Sequence, residues 1–406
     1  MESIELFAGA GGLALGMHQA GFLPLALLER DKDSCNTLRI NLDAFGGGTT
    51  SPRVIEDDIR DFDYSDFVDR VKFVTGGPPC QPFSLGGKHG GRDDVRDMFP
   101  EAVRAVRELR PLGFMFENVR GLLRKPFAPY FNYILLQLSH PEVLADGGGG
   151  WQDHLRKLER HHASLTRPDF GYDVVYQQVN AADYGVPQLR HRVVIAGFRN
   201  DLGVRWSFPG PACSREALER AKSGDGAYWK EHGISCAGLP EYGPFLTGLA
   251  GLEPCERWRT VRDAFVGLPD PRSGDSGGFA NHEFRGDARA YKGHSGSILD
   301  DPSKALKAGV HGVPGGENSV LLDDGTLRHY TAREAARIQT FPDTYVFDGS
   351  WSESMRQIGN AVPVLLARAI GESVAKILLR PSIMTGTQAY ETRKPVHDAN
   401  AGVCHG

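Results

Sequence analysis

The stretch Ser3-Ile-Glu-Leu-Phe-Ala-Gly-Ala-Gly-Gly-Leu-Ala-Leu-Gly-Met-His-Gln-Ala-Gly-Phe22 reads as a β-strand, a turn carrying Gly9, Gly11 and Gly12, and an apolar-periodic helix. Glycines at such a turn let the backbone approach a ligand closely at the amino end of the helix. Taken alone, the pattern equally fits a βα turn whose glycines serve packing. A second predicted strand, Leu25-Ala-Leu-Leu-Glu-Arg-Asp31, ends with Glu29 about 20 residues after the loop, where dinucleotide-binding folds carry a ribose-binding acid. A third, Val54 to Ile59, puts Asp58 at the next strand end. The set suits a nucleoside: Phe7 for stacking, Glu29 for ribose hydroxyls, Asp58 for an exocyclic amine.

A fourth strand, Val71-Lys-Phe-Val-Thr75, runs into Gly76-Gly-Pro-Pro-Cys-Gln-Pro-Phe-Ser84. Three prolines fix their own φ and bias the residues before them toward extended backbone, so the loop around Cys80 is stiff. A structural cysteine in a proline-rich turn is the plain reading of the thiol by itself. The following segment, 85 to 97, is rich in glycine and charge, as expected of a mobile lid beside a nucleophile. Pro111-Leu-Gly-Phe-Met-Phe-Glu-Asn-Val119 then predicts a strand that presents Glu117 at its carboxyl end, so in a parallel sheet Glu117 and Cys80 open onto one edge. Farther on, Gln188-Leu-Arg-His-Arg192 leads into an apolar strand. Arg190 and Arg192 share a face there, fit either to clamp a phosphate or base oxygen or to pair with surface acids. His161 and His162 are expected on a solvated helix end, with no chemistry assigned.

At 406 residues the chain exceeds one average domain. The expected division is 1–198, then an irregular β and loop region at 199–328, then a return to the first domain at 329–380, with a loose tail at 381–406. Regular structure resumes at a helix capped by Thr331 and Glu334 and ended by Pro342, and a final apolar helix is expected to begin in Gln357-Ile-Gly-Asn-Ala-Val-Pro-Val364. Six cysteines without a C-x-x-C pair indicate neither a disulfide framework nor a metal site. No apolar run is long enough to cross a bilayer and no basic leader precedes the first strand, so a cytoplasmic location without membrane attachment is expected. The net charge of −5 means that any nucleic-acid contact must come from a local basic face. Residues 199–328 hold 16 Lys plus Arg against 18 Asp plus Glu, which excludes a generic polyanion binder. Within them Lys304, Lys307 and His311 lie in the glycine-rich part best suited to enter a groove.

Together these residues resemble the DNA cytosine-5 methyltransferase family. Residues 4–16 are similar to its first cofactor motif, 76–84 to its Pro-Cys motif, 116–119 to its Glu-Asn-Val motif and 188–192 to its Gln-x-Arg-x-Arg motif; 331–342 and 359–363 are similar to its last two. Order and spacing agree throughout, and the layout looks most like the bacterial modification enzymes. The resemblance implies an α/β fold, a Rossmann-like S-adenosylmethionine-dependent sheet with a smaller irregular target-recognition domain at 199–328. It implies S-adenosylmethionine held by Phe7, Ala8, Gly9, Gly11, Gly12, Leu13, Glu29, Asp58, Ile59, Pro78, Asn360, Ala361 and Val362. Catalysis would rest on Cys80, Glu117, Arg190 and Arg192, with no metal. Double-stranded DNA would be met by Ser84, Arg92, Lys304, Lys307 and His311. A monomer is expected, with a cognate restriction endonuclease as the partner in biology. The spacer at 122–170 is long for the family.

The chemistry suits those residue types. Cytosine C5 is too weak a nucleophile to take a methyl group unaided, so a thiolate adds first at C6 while an acid meets N3. Both faces of the base are hidden in a duplex, so it must be extruded. Rival readings are an RNA cytosine-5 methyltransferase, against which the long variable region stands, a nicotinamide-dependent oxidoreductase, and a DNA-binding module without activity.

Overall fold

The computed structural model describes residues 1–46, 51–79, 97–146, 150–164, 170–223, 226–235, 256–290, 295–308 and 317–380. The strands are β1 (Glu2–Leu6), β2 (Leu23–Glu29), β3 (Arg53–Glu56), β4 (Phe73–Gly76), β5 (Gly113–Val119), β6 (Tyr172–Asn180), β7 (Gln188–Leu189), β8 (His191–Arg199), β9 (Cys213–Ser214), β10 (Glu256–Arg257), β11 (Ser297–Ile298), β12 (Ser303–Lys304), β13 (Ser319–Leu321) and β14 (Leu327–His329). The α-helices are α1 (Gly12–Gln19), α2 (Lys32–Ile40), α3 (Phe99–Leu109), α4 (Ala128–Ser139), α5 (Trp151–Ala163), α6 (Arg215–Lys222), α7 (Ala227–Glu231), α8 (Val261–Phe265), α9 (Ala332–Ile338), α10 (Trp351–Asn360) and α11 (Val364–Leu378).

Seven strands make the central sheet, in the order β3-β2-β1-β4-β5-β8-β6. From β3 to β5 all neighbours are parallel; β8 runs antiparallel to both β5 and β6. The inner strands β1, β4, β5 and β8 are largely buried and apolar on both faces because both are covered, as in other doubly wound sheets, whereas the edge strands β3 and β6 are more polar and partly exposed. Ile4, Leu6, Val74, Phe114 and Phe116 face one side, where α3 and α4 pack; Phe73, Met115, Val194 and Ala196 face the other, where α1 and α11 pack. Chain order reverses beside β1, with β2 on one flank and β4 on the other, and such a switch point leaves a crevice at the carboxyl ends of the strands.

The expected single helix from 357 is two. Helix α10 is capped by Ser350 and ends at Asn360, and α11 starts after Pro363. Proline lacks the N–H that a continuous helix needs and restricts the residue before it, so the chain turns at Ala361–Pro363. Helix α11 then lies on α1. A Cβ on Gly16 would stand 2.4 Å from the Val364 carbonyl oxygen and 2.5 Å from Ala367 Cβ, so the absent side chain sets the distance between the two helices.

Between β8 and α9 the described elements are short. Leu218, Tyr228 and Trp229 form a small core of their own, while Val261, Leu299, Leu306 and Val320 share a core with Ala8, Ala14 and Leu27 near the first turn. The end of α5 is solvated as expected, with His162 exposed and His161 half-buried, and both reach His140 at the end of α4: that ring is buried, its Nε2 lies 2.8 Å from His162 Nδ1, and it is 4.9 Å from the His161 ring. Burial lowers the pKa of His140 to about 4. The tail at 381–406 lies outside the described residues.

One acid is sealed into the sheet. Glu5, 2% exposed, points from β1 toward α1, accepting a hydrogen bond from the Ala14 N–H at 3.0 Å and another from Thr75 Oγ1 at 2.7 Å. Burial outweighs both hydrogen bonds and pushes its pKa up to about 8.

Two expectations follow from this packing. Gly16→Ala gains about 1 kcal/mol of helix propensity but forces α11 away, for a net loss of roughly 1–3 kcal/mol in urea denaturation; a stabilised variant would show that α11 can move freely. Folded Glu5 keeps its proton to about pH 8, while the unfolded chain releases it near the ordinary value of 4.5, so its contribution to stability is lost as pH rises through that window. Glu5→Gln should therefore match the parent below that window and exceed it by roughly 2–4 kcal/mol at pH 8. A difference that stays constant with pH would mean that Glu5 is charged when folded.

Candidate active site

The parallel register aligns four strand ends. Leu6 pairs with Leu28 on one side and Gly76 on the other, and Gly76 pairs with Phe116. The next residues along, Phe7, Glu29, Gly77 and Glu117, therefore form a row along the switch-point edge. Gly76 is required there, since a Cβ on it would lie 2.7 Å from the Leu6 carbonyl oxygen.

At the first strand end the chain turns tightly. Phe7 takes a φ of 56°, unusual for a bulky residue, and Gly9 follows at 52°. Ala8 N–H donates to the Leu28 carbonyl at 2.9 Å, fastening the turn to β2. Among the described residues nothing lies within 4 Å of where a Cβ on Gly9 would be, so they leave that face of the turn open. Glu29 borders the opening and is held by three backbone donors: Gly9 N–H at 2.8 Å, Asp31 N–H at 2.8 Å and Arg30 N–H at 3.0 Å. Behind the turn there is no room. A Cβ on Gly11 would meet the Tyr345 hydroxyl at 2.8 Å, and one on Gly12 would meet the Val362 carbonyl oxygen at 2.3 Å. The Tyr345 hydroxyl also donates to the Ala10 carbonyl at 2.8 Å. The carboxyl-terminal segment is thus pressed onto the amino-terminal turn, with Asn360 exposed and Ala361 and Val362 buried.

Asp58 stands one strand farther out. Its carboxylate is gripped by Arg60 Nε at 2.9 Å and Nη2 at 2.6 Å, which holds its pKa down at about 2. Ile59 is buried, and Leu13 packs beneath the turn. Of the residues expected to hold a nucleoside, Phe7, Ala8, Gly9, Gly11, Gly12, Leu13, Glu29 and 360–362 come together around one turn, and Asp58 and Ile59 follow the next strand of the same edge.

On the other flank of β1, Gly77 and Glu117 are side by side: a Cβ on Gly77 would be 3.7 Å from Glu117 Oε2. Asn118 Nδ2 donates to the Pro78 carbonyl at 2.9 Å, binding the stem of the proline-rich loop to β5. At the far end of that loop Met98 N–H donates to the Pro79 carbonyl at 3.2 Å, and the Tyr130 hydroxyl donates to Asp97. Cys80, Ser84 and Arg92 lie between these stems, outside the described residues, as does His311.

The two arginines part company. Arg192 Nε approaches Glu117 Oε1 to 2.6 Å, with both side chains largely buried, and its Nη1 donates to the His191 carbonyl at 2.8 Å. Arg190, 1% exposed, points the other way, into backbone carbonyls of the returning chain. Lys304 pairs with Glu317 at 2.6 Å, and Lys307 is partly buried, which lowers its pKa.

The sequence reading assigned nothing to Glu5, Asn118, Gln339 or Tyr345. An acid inside the apolar run Ile4-Glu-Leu6 was a usable signal, since a buried carboxyl needs a partner. The others act on backbone groups distant in sequence, which leaves no local trace.

The sequence model of the C-5 cytosine-specific DNA methylases matches residues 1–141, 152–225 and 276–376. A Type II methyltransferase of Psychrobacter sp. (strain TA137), M.PspPI, is 34% identical over 92% of this chain and 79% of its own length. Another, M.NgoMIV of Neisseria gonorrhoeae, is 31% identical over 93% of this chain and 97% of its own. Among solved structures, a DNA modification methyltransferase encoded within an E. coli prophage superposes with a TM-score of 0.58 at 21% identity, covering 94% of this chain and 100% of that one. With its mostly parallel seven-stranded sheet, strand-end row and matched motifs, this chain belongs to the C-5 cytosine-specific DNA methylase family and is a DNA cytosine-5 methyltransferase.

Proposed function

We propose that the enzyme methylates C5 of one cytosine in a specific duplex site, using S-adenosylmethionine, a base rotated out of the helix and a transient bond from Cys80 to C6. The observation that carries this reading is the strand-end row, in which the donor-side pair Phe7 and Glu29 and the base-side pair Gly77 and Glu117 follow aligned positions of four neighbouring strands. S-adenosylmethionine fits the first pair: the open face of Gly9 admits its backbone, and Glu29, immobilised by three N–H groups, can accept from a ribose diol. Phe7, the Gly9–Leu13 turn, Glu29, Asp58, Ile59, Pro78 and Asn360–Val362 would hold it. When bound, it supplies an electrophilic methyl group.

The protein's own residues then account for the rest. Cys80 adds as thiolate to C6, and the electrons of the C5–C6 double bond move toward C5 and N3. A free thiol, with a pKa of about 8.5, is a minority thiolate at neutral pH, so its stiff loop must assist. Glu117 meets N3 as charge grows there, and Arg192, whose guanidinium touches the Glu117 carboxylate at 2.6 Å, fixes the rotamer of that acid. After transfer, water or another base takes the C5 proton and the sulfur is expelled, restoring the double bond. Residues 199–328 would read the target sequence, with Lys304, Lys307 and His311 beside Ser84 and Arg92 at the DNA. The Type II names of the relatives support a place beside a restriction endonuclease that cuts the same site.

Transfer of tritiated methyl groups into unmethylated genomic DNA tests the reading. Cys80→Ser should abolish transfer, and Glu117→Gln should cost about 10²–10⁴ in rate, while both still bind S-adenosylhomocysteine. DNA carrying 5-fluorocytosine at the target, from which no C5 proton can leave, should trap the parent in a denaturant-resistant adduct and leave Cys80→Ser free. An adduct formed by Cys80→Ser would refute the assignment of the nucleophile.

A further inference from the structure

Among the described residues the buried guanidinium of Arg190 has no carboxylate partner at hydrogen-bond distance; it faces backbone carbonyls from two remote segments and the Gln188 side chain. Nη2 donates to Gly359 O at 2.8 Å and Ala361 O at 2.9 Å, and Nη1 reaches Leu306 O at 3.3 Å and Gln188 Oε1 at 3.4 Å. Burial lowers its pKa, Arg192 adds to that effect, and Glu117 opposes it. Gln188 joins the same cluster: its Oε1 accepts from Leu306 N–H at 3.0 Å, and its Nε2 donates to Gln339 Oε1 at 2.9 Å. Gln339 Nε2 in turn donates to Ile358 O at 2.6 Å and Ala361 O at 3.0 Å. Gly359 O and Ala361 O thus take side-chain donors in the interior, where a carbonyl without a partner is expensive, while Ile358 O also accepts from Ala361 N–H at 3.2 Å.

The two segments so joined are in close contact. A Cβ on Gly359 would lie 2.3 Å from both the carbonyl carbon and oxygen of Lys307, and Lys307 is pinned from outside by Asn318, which accepts from its N–H at 2.9 Å and donates to its carbonyl at 3.1 Å. On the other side, Val362 O presses on Gly12. A continuous line of backbone contacts therefore runs from residues 303–308 through the guanidinium and the end of α10 to the turn at Gly9–Gly12.

We propose that Arg190 is a positioning residue for the methyl-donor site, fixing the Gly359–Val362 segment against Leu306–Lys307 so that Asn360 and Val362 stay at the amino-terminal turn. This rests on the donor-site reading given above, and it removes Arg190 from contact with the target base. A lysine cannot substitute, because a single ammonium lacks the planar fork that spans carbonyls of both segments.

Calorimetric titration of S-adenosylhomocysteine into the full chain, with steady-state methylation of unmethylated genomic DNA fragments, tests it. Arg190→Lys should weaken S-adenosylhomocysteine binding and raise the KM for S-adenosylmethionine at least tenfold, with kcat kept within about threefold. Gln339→Ala, which keeps the Arg190 charge and removes the bonds to Ile358 and Ala361 together with the one received from Gln188 Nε2, should move the same two quantities at least threefold and serves if the lysine variant does not fold. A fall in kcat at unchanged cofactor affinity would put Arg190 at the base and overturn the proposal. A lower melting temperature with unchanged affinity in the folded protein would make it merely structural and overturn it equally. Parent protein that fails to bind S-adenosylhomocysteine would contradict the donor site itself, whereas normal binding by both the parent and Arg190→Lys would refute only the role of Arg190.

Discussion

Parallel hydrogen bonding between β2, β1, β4 and β5 is the constraint on which the rest depends. Because the pairings Leu28 to Leu6, Leu6 to Gly76 and Gly76 to Phe116 fix the stagger of these strands, the residues just beyond them have nowhere to go but a shared edge. Two positions are thereby placed next to each other by the backbone: the proposed donor side at Phe7 and Glu29, and the acid Glu117 beside the stem of the proline-rich loop. A slip of one residue would turn the alternating apolar side chains to the wrong faces and displace Glu117 from Gly77.

The edge is completed by a segment more than 300 residues later in the chain, and glycine makes that possible. Gly12 and Gly16 are positions where any side chain would collide with residues 362–368, so the returning chain seats its backbone directly on the first turn and helix. What holds it there is polar and buried: Arg190 and Gln339 donate to carbonyls at the end of α10, and Gln188 braces Gln339. The same arrangement explains why Arg190 and Arg192, one residue apart, do different work. Arg192 stands beside the Glu117 carboxylate, and Arg190 has turned to the carbonyls of Leu306, Gly359 and Ala361, the frame of the proposed donor site.

Much of this was legible in the sequence. The β1, β4 and β5 runs are short, apolar and bounded by glycine or proline, and the capping pair Thr331 and Glu334 marks α9 as expected. Two kinds of feature were not. The segment Gln357–Val364, where one final helix is expected to begin, holds the end of α10 and, after Pro363, the start of α11. The partners of Arg190 could not be foreseen, because backbone carbonyls carry no residue-type signal and lie 116 to 171 positions away. The acid Glu5 stands out in its apolar run, but its partners, Thr75 and the Ala14 N–H, come together only when β1, β4 and α1 are assembled.

The most direct measurement is a crystal structure of the enzyme with S-adenosylhomocysteine. The ribose hydroxyls should lie on the Glu29 carboxylate, the amino-acid chain across the open face of Gly9, and the sulfur should turn toward Gly77 and Glu117. Ligand density elsewhere on the protein, or a sulfur facing away from that edge, would contradict the convergence on which the whole account stands.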